Sequence, residues 1–201
     1  DCETLFRRLA TEMTGSETLS YQGSLIDLSP PFARISVEEA FLRHAGFSIL
    51  DALESSKLRK ELDSLGIDHA PSDGWDDLFH RVFLTLVEPK LLESPNPLFL
   101  THYPAPLGSL ARLSPEDPRV AERVELYVGG MELANGFGGL TSSTEQRTRF
   151  EEARKKRLAM GSSDYPFDES FLECLDSLPP CAGIALGIDR LLMLALDLPT
   201  I

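Results

Sequence analysis

The chain has 201 residues, of which 42% are hydrophobic, so it can bury the core of one domain or slightly more. Its net charge of −13 argues against a surface built mainly for nucleic acid. We find no run long enough to span a membrane and no signal peptide. Three scattered cysteines provide neither a disulfide framework nor a zinc site, so we expect a reducing, cytoplasmic setting.

Apolar spacing predicts helices over much of the first half of the chain. Leu5, Phe6, Leu9 and Met13 would share one face of a helix over residues 3–13. Ser36, followed three residues later by Glu39, predicts a capped helix that ends near residue 44. Residues 49–92 also have a helical pattern, with a break expected at Pro89. The simplest interpretation of residues 37–92 is a packed helical insertion without chemistry of its own.

Residues 122–137 predict a β-hairpin. Apolar residues alternate with Glu125 and Tyr127, and Gly129-Gly130 suits a two-residue turn. That turn pairs Tyr127 with Glu132, so Glu125 and Glu132 would be diagonal neighbours on one face, about 7 Å apart at the backbone. Two carboxylates so placed could share a magnesium ion, although a solvated strand face is the alternative.

Strict alternation along the second strand of this hairpin would place Asn135 on the face opposite to Glu125. A bulge at Gly136 would turn Asn135 and Phe137 back. Further on, Ser143 and Gln146 predict the cap of a charged helix that ends before Gly161. The basic residues 154–157 within it are most simply a solvated face.

The last predicted helix has an arginine, Arg190, at an unusual position in its first turn. An apolar run before Gly187 predicts a buried strand, and Asp189 is a candidate N-cap for the helix that follows. Arg190 then lies in the first turn, facing the positive end of the helix dipole. It would be favourable beside an anion such as a phosphate, and the alternative is a surface pair with Asp189.

These stretches resemble the lysyl group of class II aminoacyl-tRNA synthetases, over nearly the whole chain. Gly-Ile-Ala-Leu-Gly-Ile-Asp-Arg-Leu, residues 183–191, is similar to motif 3 of that class, and residues 125–137 are similar to its strand pair for ATP, magnesium and the amino acid. The resemblance implies an α+β fold: an antiparallel sheet flanked by helices. It also implies that motifs 1 and 2 lie upstream, so we expect residues 1–201 to be the C-terminal part of a catalytic domain, inactive alone.

Within this group, the chain more closely resembles the paralogues that attach lysine to elongation factor P. Those proteins typically have alanine at the position of Ala185, where lysyl-tRNA synthetases have glycine, and they prefer (R)-β-lysine. An added methyl group in a tight pocket shifts selectivity by roughly 1–3 kcal/mol. The resemblance thus implies ligation of lysine or β-lysine to elongation factor P, with a lysyl-tRNA synthetase or a non-catalytic relative as alternatives. It also implies a homodimer at full length.

The resemblance assigns roles to residues by position. Arg190 would bind the γ-phosphate of ATP and act in catalysis, with Gly187 and Leu133 beside the nucleotide. Glu125 and Glu132 would hold Mg²⁺, and Glu132 would also contact ATP. The amino-acid pocket would be lined by Asn135, Phe137, Gly139 and Ala185.

One position departs from the family pattern. The family reads Asn-Gly-Phe-x-Glu-Leu, and its glutamate binds the amino group of the substrate, whereas this chain has Gly139 at that place. Burying the substrate ammonium group without an acidic partner would weaken its binding by roughly several kcal/mol. Either another acid supplies the charge, the substrate differs, or activity is lost.

Overall fold

The computed structural model describes residues 1–201, which form a central sheet with helices on both faces. Its elements, in chain order, are α1 (Cys2–Thr14), β1 (Thr18–Tyr21), β2 (Ser24–Asp27), β3 (Ala33–Ser36), α2 (Val37–His44), α3 (Ser55–Leu65), α4 (Trp75–Val82), a π-helical turn (Phe83–Val87), α5 (Glu88–Leu92), β4 (Leu98–Pro104), a 3₁₀ turn (Ala105–Leu107), β5 (Val120–Val128), β6 (Met131–Gly138), α6 (Ser143–Ala159), α7 (Glu169–Leu175), β7 (Ala182–Leu186) and α8 (Ile188–Leu196).

The main sheet has five strands in the order β3-β4-β5-β6-β7, and β1 and β2 form a separate hairpin. Every neighbouring pair in the main sheet is antiparallel except β3 and β4, which are parallel. The expected α+β architecture with an antiparallel sheet is therefore confirmed, with one parallel pair at an edge.

Two apolar cores lie on opposite faces of this sheet, because successive strand residues point to opposite sides. Leu100, Tyr103 and Tyr127 pack with the helices between residues 37 and 92 on one face. Leu126 and Val128 pack on the other face with α1, the β1–β2 hairpin and α8. We call the first side the helical face; it also carries Glu125, which has the same parity on β5 as Tyr127.

The predicted helices are present, with differences at their ends. The Ser36–Glu39 capping box is confirmed: the Ser36 hydroxyl accepts the Glu39 N–H, and the Glu39 carboxylate accepts the Ser36 N–H. The helix expected to stop at Pro89 continues to Leu92, because proline is tolerated in the first turn of the new helix α5.

Two details of the predicted helices were wrong. The cap of α6 is Ser142, and Ser143 instead donates from its N–H and hydroxyl to Asp176 after α7. In α1 the buried residues are Phe6 and Ala10, whereas Leu5 is 46% exposed. The apolar stripe of α1 is thus narrower than its spacing suggested.

Candidate functional site

A cavity of about 300 Å³ lies between β6, β7 and the start of α8. It is lined by Glu132, Leu133, Ala134, Asn135, Ala185, Gly187, Asp189 and Arg190. Most of the residues singled out in the sequence therefore meet at one place. Glu125, Phe137 and Gly139 lie outside its lining.

The hairpin that supplies one wall has the predicted turn and register. Gly129 and Gly130 have φ of 63° and 75°, the left-handed region that a two-residue hairpin turn requires. Tyr127 pairs with Glu132 and Val128 with Met131, as predicted. This brings Glu132 to the helical face, at the mouth of the cavity.

The hairpin also contains a bulge in an unexpected place. Leu126 pairs with Ala134 while Tyr127 pairs with Glu132, so Leu133 is the extra residue. The bulge turns Asn135 to the face of Glu125, where its amide nitrogen lies 2.9 Å from Glu125 Oε1 and 3.4 Å from Glu132 Oε1. A bulge therefore does turn Asn135 back from the face that strict alternation would give, but its expected position at Gly136 was wrong, because the extra residue is Leu133.

Glu125 is buried and firmly held. Its residue is 7% exposed, and its carboxylate accepts hydrogen bonds from Arg123 and Asn135 at Oε1 and from the Tyr127 hydroxyl at Oε2. Burial, reinforced by this carboxylate, raises the pKa of Tyr127, so its hydroxyl remains a donor at neutral pH. The solvated-face interpretation is thus wrong for Glu125, whereas the Glu132 side chain is 36% exposed.

The donor set at this place suits a cation that arrives with a phosphate ligand. No group of three or more histidine, cysteine, aspartate or glutamate side chains is arranged to hold a metal ion. The two carboxylates of Glu125 and Glu132 nevertheless share one face through Asn135. Magnesium is typically bound by one or two carboxylates together with substrate phosphates, so two are sufficient.

Helix α8 places the side chain of Arg190 in the lining of the cavity. The helix starts at Ile188 with Gly187 as N-cap, so the expectation that Asp189 caps it was wrong. The Gly187 N–H donates to the carbonyl of the bulged Leu133 at 2.8 Å, which fixes the helix start against β6. Arg190 Nη1 donates to the Glu132 carbonyl at 2.5 Å and lies 3.9 Å from Glu132 Oε2. Arg190 therefore contacts Glu132 rather than Asp189, and its side chain is 54% exposed.

Strand β7 forms the other wall. It pairs with β6 so that Ala185 lies opposite Asn135 and Gly183 opposite Phe137. The expectation of a buried strand was wrong: β7 is the edge of the sheet, and Ile184 is 41% exposed. The contact between the strands is close, because a Cβ at Gly136 would lie 2.6 Å from the Gly183 carbonyl oxygen.

The last two predicted residues lie beyond the cavity. Phe137 is opposite Arg123 on β5, two positions along the strand from Asn135. The Gly139 N–H donates to the Cys181 carbonyl at 2.9 Å. A Cβ there would lie 3.2 Å from Cys181 Sγ.

Two polar residues near the site were not found from the sequence. Burial, followed by the charges of Glu125 and Glu132, raises the pKa of Glu88, the first residue of α5. Tyr103 on β4 lies under the Arg123 guanidinium, 4.5 Å from its ring centroid. Neither belongs to a local pattern, since both are distant from Glu125 in sequence and only the fold brings them near it.

Comparison with known proteins gives a consistent result. The model of a family described as tRNA synthetases class II (D, K and N) matches residues 2–201. A lysine–tRNA ligase of Pelotomaculum thermopropionicum is 37% identical over 96% of this chain and 38% of its own length. Elongation factor P–(R)-β-lysine ligases of Pectobacterium atrosepticum and Proteus mirabilis are 46% and 45% identical, over 81% and 83% of this chain.

The chain spans about half the length of these two ligases, 50% and 52%. In addition, no helix of the structure combines the length and apolar character needed to cross a membrane.

Proposed function

Since the chain belongs to the class II tRNA synthetases of the D, K and N group, we propose that it is part of an ATP-dependent lysine ligase. The substrate would be lysine or (R)-β-lysine, and the acceptor a lysine side chain of elongation factor P. The observation that carries the proposal is the meeting of Glu132, Asn135, Ala185 and Arg190 around one cavity. Relatives named for this activity are 43% to 46% identical to the chain.

Each wall of the cavity would serve one part of the reaction. Arg190 and the start of α8 would hold the γ-phosphate of ATP, as a guanidinium and a helix N-terminus suit an anion. Glu132 and Glu125 would hold Mg²⁺, which neutralises phosphate charge when bound. Gly187 and Leu133 present backbone beside the nucleotide, while Asn135, Phe137, Gly139 and Ala185 would border the amino acid.

The proposed chemistry needs no protein nucleophile. The carboxylate of the amino acid attacks the α-phosphorus of ATP, the bond to the β-phosphate breaks, and pyrophosphate leaves. The acyl group of the resulting adenylate then passes to the acceptor amine, and AMP leaves. Positioning and charge stabilisation supply the catalysis of such a transfer.

Pyrophosphate exchange by the full-length protein tests the proposal. We expect exchange that depends on ATP, magnesium and (R)-β-lysine or lysine, followed by labelling of elongation factor P. Labelling of tRNA instead would favour the lysyl-tRNA synthetase alternative, which the similarity over 96% of the chain supports. ATP binding without exchange would favour a non-catalytic relative, the alternative to which Gly139 points.

A further inference from the structure

The hydroxyl of Tyr103 is buried without a hydrogen-bond partner. The residue is 3% exposed and belongs, with Leu100 of β4, to the core on the helical face. Buried polar groups in folded proteins almost always have a partner, so an unpaired one requires an explanation. For Tyr103 the explanation lies with the carboxylate of Glu125, which the hydroxyl faces.

The sheet places this hydroxyl beside Glu125. A register shift between Thr101 and Tyr103 interrupts the pairing of β4 with β5, and Tyr103 lies opposite Ala121. The Arg123 guanidinium lies over the Tyr103 ring and donates to Glu125 Oε1 at 2.8 Å. Burial raises the pKa of Tyr103, and the nearby carboxylate of Glu125 raises it further. A tyrosine hydroxyl can donate, and here it lies next to the Glu125 carboxylate without a hydrogen bond of normal distance and angle to it.

Glu125 already accepts three hydrogen bonds. Oε1 accepts from Arg123 and Asn135, and Oε2 accepts from Tyr127. A carboxylate offers about four lone-pair positions, so only one is open here, and a metal ion and the Tyr103 hydroxyl cannot both bind Glu125 unless one of the three bonds is released. A buried carboxylate that gives up a donor needs another to replace it.

We propose that Tyr103 is a positioning residue for Glu125, whose carboxylate accepts the Tyr103 hydroxyl when it turns toward a nucleotide-bound divalent cation. This inference rests on the proposed function. Hydrogen bonds behind a ligating side chain fix its orientation, and their loss typically costs about 10- to 100-fold in metal affinity. The Tyr103 hydroxyl is then unpaired in the free site and gains its hydrogen-bond partner when the cation is bound.

Tyr103→Phe in the full-length protein tests this. Calorimetric titration with Mn²⁺ at constant ATP should give roughly tenfold weaker binding than in the unsubstituted protein. The melting temperature without ligands should be equal or higher, because no existing bond is lost. Tyr21→Phe is the matched control: Tyr21 is buried in the other core, and its hydroxyl donates to the Leu198 carbonyl at 3.3 Å. That control should lower the melting temperature and leave Mn²⁺ binding unchanged.

The outcomes separate the inference from the proposed function. Equal Mn²⁺ affinity in Tyr103→Phe and the unsubstituted protein overturns the inference alone. A lower melting temperature with Tyr103→Phe also overturns it, since the hydroxyl then has a partner in the free protein. Failure of the unsubstituted protein to bind Mn²⁺ and ATP overturns the proposed function as well.

Discussion

Asn135 lies directly opposite Glu125 on the neighbouring strand, and its amide nitrogen is 2.9 Å from a carboxylate oxygen of Glu125. The same nitrogen lies 3.4 Å from Glu132 Oε1. A neutral donor thus stands between two acids that would otherwise repel each other. The side chain of Asn135 therefore holds the acidic pair together before any cation is bound.

Asn135→Asp should reverse that effect. A third carboxylate opposite Glu125 replaces a hydrogen bond by like-charge repulsion, which destabilises strand pairs. We expect a lower free energy of unfolding at pH 7 and a smaller loss at pH 4, because the repulsion weakens when carboxylates are protonated. Urea denaturation at the two pH values measures this. Unchanged stability at pH 7 would show that the amide does not link the two acids.

Glu88→Gln should change the pH dependence of stability. Burial, then the charges of Glu125 and Glu132, raise the pKa of Glu88 above its ordinary 4.5. A carboxyl group with a raised pKa binds its proton more tightly in the folded state, so its stabilising effect is lost as pH rises through the folded pKa. Glu88→Gln should therefore be more stable than the unsubstituted protein at pH 7, and the difference should shrink toward pH 4.

Chemical denaturation over that pH range measures the difference. Glu93→Gln is a suitable control, because Glu93 follows the same helix but pairs with Lys90 at the surface. Its effect should be small at every pH. A Glu88→Gln curve parallel to that of the unsubstituted protein would mean that Glu88 does not sense the other two acids.

Gly136→Ala should separate the two walls of the cavity. A Cβ at Gly136 would lie 2.6 Å from the Gly183 carbonyl oxygen and 2.8 Å from Ile184 Cβ, so the strands must move apart. We expect a loss of about 1–3 kcal/mol in unfolding free energy, typical of overpacking, and weaker ATP binding. Gly183→Ala is the control, since its Cβ would meet nothing within 4 Å. Equal effects of the two substitutions would contradict the close strand contact.

Local patterns were sufficient to predict the hairpin but not its distortion. The alternation around Glu125 and the Gly129-Gly130 turn fix the pairing of Tyr127 with Glu132, and this was predicted correctly. The bulge at Leu133 has no local signature, because Leu133 suits either a regular strand or a bulge. The bulge lies where the Gly187 N–H donates a hydrogen bond to the Leu133 carbonyl. This bond joins distant parts of the chain.

Contacts between distant elements, rather than local patterns, also decide the exposure of β7 and the surroundings of Glu88. The apolar run of β7 predicted a buried strand, yet the strand lies at a sheet edge, which apolar content alone does not reveal. Glu88 was assigned to an ordinary helix because only tertiary packing brings α5 close to Glu125 and Glu132. Periodicity thus identified the elements, while contacts between them determined the electrostatics of the site.

Gly139→Glu tests the departure from the family pattern. If the substrate ammonium has no acidic partner in this protein, a carboxylate at this position should supply one. A hydrogen bond to a charged group contributes about 1.5–3 kcal/mol, so we expect roughly 10- to 100-fold tighter binding of lysine or β-lysine. The new Cβ would lie 3.2 Å from Cys181 Sγ, and Cys181 is exposed enough to move.

Gly139→Gln provides the comparison, because it adds nearly the same volume without the charge. Calorimetry of both variants with each lysine isomer should show a gain for glutamate and none for glutamine. A gain in both would indicate improved packing rather than charge pairing. No gain in either would mean that the substrate amine already has an acidic partner, for which Glu88 is a candidate, because the charges of Glu125 and Glu132 contribute to its raised pKa.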